Sequence, residues 1–326
     1  MLVTLFLSLL VSMPPAPETV DRIAFGSCAR EDRPMPIWDA VAAAEPDLLI
    51  MLGDNVYADT DDLDEFRAKY AQLESHPVFA ELRRKVPLLA TWDDHDYGRN
   101  DAGKEWHLRA EAQQIALDWQ GVSETDPRRE REGIYHAETF GEPGQRLQVI
   151  LLDTRYFRDP IKTERINDRR HYVPGPGEML GDAQWAWLEA RLAEPADLRV
   201  VCSSIQVLAE EHRFEKWANF PEQRERLMKM LTEAGNVVVI SGDRHHGEIS
   251  TVSGLRDITS SALNQNRRSP VNEPNVHRVG EPIGEANFGL LEIDWQAGTV
   301  TATLRRVDGE IAVSDTWSIS RPAPTR

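Results

Sequence analysis

Residues 47–54 read DLLIMLGD, with five apolar residues in a row from Leu48 to Leu52. A strand with one wet face alternates polar and apolar side chains. This one does not, so both its faces must be covered. RIAFGSC (22–28), VPLLATWDDHD (86–96), LRVVCSS (198–204) and VVVISGDRHHGE (237–248) also read as strands, RIAFGSC ending at a Gly-Ser turn. Segments of helical spacing lie between these runs: MPIWDAVAAAEP stopped by Pro46, residues 63–85, residues 103–119, DAQWAWLEARLAE with Asp182 as its N-cap, and PEQRERLMKMLTEAG closed by Gly235. GIYHAETF and RLQVILLDTRYF read as two strands joined by GEPG, and the tail from residue 249 alternates in β fashion. Strand–helix alternation followed by antiparallel strands predicts one α/β domain over residues 21–326.

Each candidate chemical residue ends a predicted strand: Cys28 the first, Asp54 the second, Asp94 and His95 the third, Asp243 and His245 a later one. In open α/β sheets, sites form in the crevice beyond the carboxyl ends of the strands. WDDHDYGRND (92–101) alone reads either as a solvated turn or as carboxylates held together by a metal. Four like charges cannot enter a core unpaired, because desolvating each costs several kcal/mol. A solvated turn does not predict acidic and soft ligands at four separate strand ends; a shared metal site does.

The chain has 37 Lys and Arg against 54 Asp and Glu, a net charge of −17. A general nucleic-acid binder needs a basic footprint, so no nucleic-acid partner is inferred. An anionic substrate must instead be drawn in by local positive charge. Two cysteines are too few for a disulfide scaffold. Cys28 is open between metal ligand, buried structural thiol and a disulfide to Cys202.

The N-terminus, MLVTLFLSLLVSMPPAPETVDR, is nearly all apolar from residue 2 to residue 11. Ten residues are too few to span a bilayer as a helix but suit the apolar core of a signal peptide. A basic start and an A-x-A cleavage site are missing. The expectation is a signal peptide over residues 1–20 and export to the periplasm or beyond. The competing readings are a buried first strand and a misassigned start. No other apolar run approaches membrane length.

Taken in order, FGSC, GDNVYAD, TWDDHDYG and SGDRHHGE resemble the calcineurin-like metallophosphoesterase superfamily, and most nearly its alkaline phosphatase D-like branch. LDTRYFRD, GPGEMLGDAQWAWLEA and CSSIQV are similar to that branch's internal signatures. The resemblance runs from about residue 22 to about 260. It implies a four-layer α/β/β/α sandwich with two mixed sheets and a phosphoric ester hydrolase acting by in-line attack of metal-activated water. Alternatives on the same scaffold are a phospholipase D-type phosphodiesterase and an inactive metal-binding relative. The branch often carries an additional N-terminal β domain, which a first core strand near residue 22 implies this chain lacks.

By the same resemblance Cys28, Asp54, Tyr57 and His245 hold iron as Fe3+, with Asp54 bridging to the second metal. Asp94 and Asp243 stand where the wider superfamily has Asn and His, and SSIQV offers only Ser203, Ser204 or Gln206 where it has another His. A thiolate suits iron, and a phenol needs a trivalent metal to lose its proton at neutral pH. The oxygen-rich second site favours calcium, with magnesium or another divalent cation as substitutes. His95 matches the non-ligand histidine and is the expected general acid. Either Asp93 or Asp96 is expected to orient it. His246 is open between ligand, supporting residue and mere neighbour. Five arginines, Arg155, Arg158, Arg165, Arg169 and Arg170, crowd one loop, and Arg155 is the candidate for substrate phosphate. Arg267 and Arg268 lie on a second polar loop. Oligomeric state and the choice between monoester and diester are not legible.

Overall fold

The computed structural model describes residues 14, 17–266 and 271–320. The expected leader and the pair Arg267 and Arg268 therefore fall mainly or wholly outside the described residues. The elements run β1 (Arg22–Gly26), α1 (Ile37–Ala43), β2 (Leu48–Leu52), α2 (Leu63–Glu74), α3 (Pro77–Lys85), β3 (Leu88–Thr91), α4 (Asp94–Tyr97), α5 (Arg109–Gln120), β4 (His136–Phe140), β5 (Leu147–Leu151), β6 (Thr163–Ile166) and β7 (Arg169–Tyr172). They continue with α6 (Gly181–Leu192), β8 (Leu198–Ser203), α7 (Pro221–Ala234), β9 (Val237–Ser241), β10 (Gly247–Val252), β11 (Leu255–Ser260), β12 (Arg278–Ile283), β13 (Asn287–Asp294), β14 (Thr299–Arg306) and β15 (Ile311–Ser318).

Two mixed sheets result, ordered β15-β14-β13-β1-β2-β3 and β12-β10-β11-β9-β8-β5-β4, beside a small β6–β7 hairpin. β1, β2 and β3 are parallel neighbours, and so are β5, β8, β9 and β11. The two-sided burial read from DLLIMLGD follows from the layering. Ile23, Phe25, Leu48, Ile50 and Leu52 face Val149, Leu151, Val200, Val238 and Ile240 between the sheets. The intervening Ala24, Leu49 and Met51 pack with α1, α2, α3 and α5. On the far side Ile150, Val201 and Val239 pack against α6 and α7. This is an α/β/β/α sandwich. No helix among the described residues is long and apolar enough to cross a membrane.

Three local readings change. The helical run at 63–85 is two helices, because Pro77 starts a new one and disfavours helix at the residue before it. The helix expected from residue 103 starts at Arg109. At Gly103 the backbone passes so close to the Arg158 carbonyl that an added Cβ would lie 2.4 Å from it, and the Lys104 amide donates to that carbonyl at 2.9 Å. Leu180, not Asp182, occupies the N-cap of α6, so Asp182 sits in the first turn, where its charge complements the helix dipole.

Candidate metal centre

The parallel strands β1, β2, β3 and β9 end at one pole, and the loops leaving them converge there. The backbone pairs them directly: the Cys28 amide donates to the Gly53 carbonyl at 3.3 Å and the Ala29 amide to Asp54 at 2.9 Å. Of the non-glycine residues with positive φ, Cys28 (60°), Asp54 (50°), Asp59 (46°), Asp101 (58°), Asp243 (69°) and His245 (57°) all lie at this pole. Such backbone costs about 1–3 kcal/mol per residue and persists only where the surroundings enforce it.

The side chains meet in three overlapping groups: Cys28, Asp54 and His245; Asp54, Asp94 and His95; and Asp93, Asp94 and Asp243. Within each, one ligand atom per residue lies within 4.8 Å of the others. Tyr57 joins the first group, donating its hydroxyl to Asp54 Oδ2 at 3.1 Å and lying 3.2 Å from His245 Nε2. The Cys28 thiol donates to the same carboxylate oxygen at 3.4 Å. Asp54 thus stands between the groups, as a bridging carboxylate would. Cys28 and Cys202 are both free, which removes the disulfide reading.

The electrostatics call for added positive charge. Burial pushes the Asp54 carboxyl well above its usual range, with the His95 charge opposing it. Burial and then Asp54 push the Cys28 thiol up, and the same two causes raise Tyr57. Burial lifts Asp243 to about 6 against the pull of Arg244. Asp94 alone goes down: burial acts against its charge, but His95, Arg155 and the Asp101 amide outweigh it. Asp93 Oδ2 is buried with no hydrogen-bond partner. A soft thiolate with a phenol, an imidazole and a carboxylate fits a trivalent transition metal, and the all-carboxylate group of Asp93, Asp94 and Asp243 fits a hard cation. The donor sets present therefore suit metal ions.

A family model described as PhoD-like phosphatase matches residues 23–277. The chain belongs to the PhoD-like phosphatase family. It is 25% identical over 291 residues to alkaline phosphatase D of Bacillus subtilis (strain 168), covering 74% of this chain. The chain spans about half the length of that relative, 48%. Among solved structures, one described as the structure of PhoD superposes with a TM-score of 0.75 at 20% identity, covering 94% of this chain and 72% of that one. A second, GAP50, the anchor in the inner membrane complex of Plasmodium, gives a TM-score of 0.65 at 13% identity, covering 93% of this chain and 90% of that one. Both show the sandwich fold.

The supporting residues in this PhoD-like chain differ from those read in the sequence. His95 Nδ1 lies 2.6 Å from Asp59 Oδ2, so Asp59, and neither Asp93 nor Asp96, orients the ring. Asp96 instead accepts the backbone amides of Asp54 (2.9 Å), Asn55 (3.1 Å) and Asp93 (2.7 Å), which shapes the turn after β2. Asp93 accepts from Arg155 Nε at 2.7 Å and from the Ser204 hydroxyl at 2.6 Å. Arg155 also donates to Glu215 at 2.7 Å and has no solvent exposure, so its guanidinium is committed beneath the site and does not face a substrate phosphate. His246 is buried, with Nδ1 3.0 Å from the Arg244 carbonyl, and lies outside the three ligand groups. Ser203 donates to Ile205, Ser204 to Asp93, and Gln206 Nε2 to Glu248 and Thr259.

Two further residues went unread. Ser261, just after β11, lies 3.2 Å from Cys28 Sγ and accepts the His245 amide at 2.8 Å, tying two candidate ligands together. The Asp101 amide donates to Asp94 Oδ2 at 2.6 Å. Neither Asp59 nor Ser261 stands at a spacing from its partner that the sequence marks.

Proposed function

We propose that this protein is a metal-dependent phosphate-ester hydrolase of the alkaline phosphatase D type. In this reading Fe3+ is held by Cys28, Asp54, Tyr57 and His245. Calcium, or magnesium or another divalent cation, is held by Asp54, Asp94 and Asp243. The observation that carries the reading is a histidine at the rim of a cluster whose carboxylates Asp54, Asp93, Asp94 and Asp96 are buried. The His95 side chain is 16% exposed, and its ring sits 4.3 Å, centroid to centroid, from Tyr57. Bound cations there supply charge neutralisation for phosphoryl oxygens and acidify water.

The protein's own groups do the rest. Asp54 and Asp94 would fix where the cations lie, and the cations would hold the phosphoryl group. Asp59 holds His95 Nδ1, which leaves Nε2 to hand a proton to the departing oxygen. Burial alone would lower the His95 pKa, but Asp94, Asp54 and Asp59 outweigh it and push it up to about 11. The apolar run at residues 2–11 supports export of the chain.

The test is His95→Ala. A nitrophenolate leaves without help, whereas an alkoxide does not. The variant should lose about 10²–10⁴ in kcat/KM on alkyl phosphate esters, with much smaller losses on nitrophenyl esters and unchanged metal content. Equal losses on both ester types, together with lost metal, would make His95 a ligand and end this division of roles.

A further inference from the structure

A pocket of about 420 Å³ opens between the β6–β7 hairpin, the loop at 211–214 and the segment at 271–274. Each wall is tied to one ligand of the all-carboxylate side of the centre. On the hairpin wall, the Tyr172 hydroxyl donates to the Asp101 carboxylate and Arg170 lies 3.8 Å from it. The Asp101 amide in turn holds Asp94. On the loop wall, Arg244 follows Asp243 in sequence, pairs with Glu273 at 2.7 Å and places its guanidinium 4.0 Å from the centre of the Phe214 ring. The pocket's walls are therefore linked through Asp101 and Arg244 to Asp94 and Asp243.

Its lining sets two arginines, Arg169 and Arg213, and two histidines, His171 and His212, beside two acids, Glu211 and Glu273. Elsewhere on the hairpin the cations have acidic partners, Lys162 with Glu164 at 3.0 Å and Arg165 with Asp168 at 3.7 Å. Arg169 and Arg213 have no carboxylate partner among the described residues, although Arg213 donates to the Arg170 carbonyl at 3.0 Å. Of the two acids in the lining, Glu273 is matched by Arg244, and Glu211 accepts the Val276 amide at 2.7 Å. Phe214 lies between the guanidinium groups of Arg213 (4.2 Å) and Arg244 (4.0 Å), a plate held in place from two sides.

We propose that this pocket is an anion subsite, so that the preferred substrates are phosphate esters whose organic part carries a second acidic group. The metal centre takes the reacting phosphate, and Arg169 and Arg213 take the second anion. A pocket of this size accepts a small organic moiety. This proposal rests on the hydrolase reading and names its substrate class.

The test uses 6-phosphogluconate and glucitol 6-phosphate, which differ only in a carboxylate for a hydroxymethyl group. With the metal-loaded protein, kcat/KM and calorimetric affinity should favour 6-phosphogluconate by about tenfold or more, the effect of one charge-assisted contact. Arg169→Ala with Arg213→Ala should erase that preference and leave 4-nitrophenyl phosphate turnover unchanged. The pair Arg169→Lys and Arg213→Lys should keep part of it. Equal binding of the two compounds by the parent, or a preference that survives loss of both arginines, would overturn the subsite. Failure to cleave any of these esters, or bis(4-nitrophenyl) phosphate, would overturn the hydrolase reading instead, and calorimetry would still decide the subsite.

Discussion

Replacing Arg155 by methionine separates a buried brace from a substrate contact. The guanidinium donates to Asp93 and to Glu215, both at 2.7 Å, and all three side chains are at most 2% exposed. Methionine fills much of the volume but leaves Asp93 without a cation and Glu215 with one of its two. Asp93 keeps only the Ser204 hydroxyl, whereas Glu215 keeps Arg158 at 3.0 Å. Removing one partner of a buried pair costs about 3–5 kcal/mol. The surviving Arg158 contact puts the expectation near the lower end, about 3 kcal/mol. That is a large share of a domain's stability of about 5–15 kcal/mol. Urea unfolding, followed by tryptophan fluorescence, should show the midpoint falling with an unchanged slope. Adding Asp93→Asn removes one stranded charge, so the double variant should be less destabilised than the two single losses added together. A stable Arg155→Met protein with only a raised KM would refute the buried-brace account and return Arg155 to the substrate.

Two other perturbations probe the surroundings. Burial, and then Arg244, lower the Lys216 pKa from 10.5 to about 8, with Glu215 and Glu273 opposing. The neutral amine is the form the fold prefers, so this contribution is present above pH 10.5 and lost as pH falls through 8. At about 1.4 kcal/mol per pH unit, Lys216→Met should flatten a rise in stability of about 3 kcal/mol between those limits. Denaturant midpoints measured across that range check it, and an identical pH dependence in parent and variant would refute it. Gly53 has φ 98°, and a Cβ there would meet the Asp93 amide and Cβ at 2.5 Å. Gly53→Ala should cost on the order of 3 kcal/mol and shift the Asp93–Asp94 turn, with metal lost; an unchanged Tm and metal count would contradict this.

The layered fold was legible because unbroken apolar runs such as Leu48–Leu52 have no other way to be covered on both faces. The converging residues were legible for a related reason: a ligand type at the end of a parallel strand has its position fixed by the sheet. What escaped were contacts made across the fold. Asp59 reaches His95 over 36 residues and Ser261 reaches Cys28 over 233, and no spacing rule encodes either distance. Within the run Asp93–Asp96 the four-residue helix turns successive carboxylates in different directions, towards Arg155, the metal groups and the backbone of the β2 turn. Adjacency in sequence therefore gave no guide to which of them does what. Arg155 was misread because an arginine-rich loop looks alike whether its side chains reach solvent or fold under.

The proposed function depends on a centre that combines iron with a hard cation, built from Cys28, Asp54, Tyr57, Asp94, Asp243 and His245. Elemental analysis of the active protein, purified without added metal, is the decisive measurement. About one iron per chain, accompanied by calcium or magnesium, is expected in the fraction that hydrolyses phosphate esters. A fully active fraction containing zinc alone would contradict it.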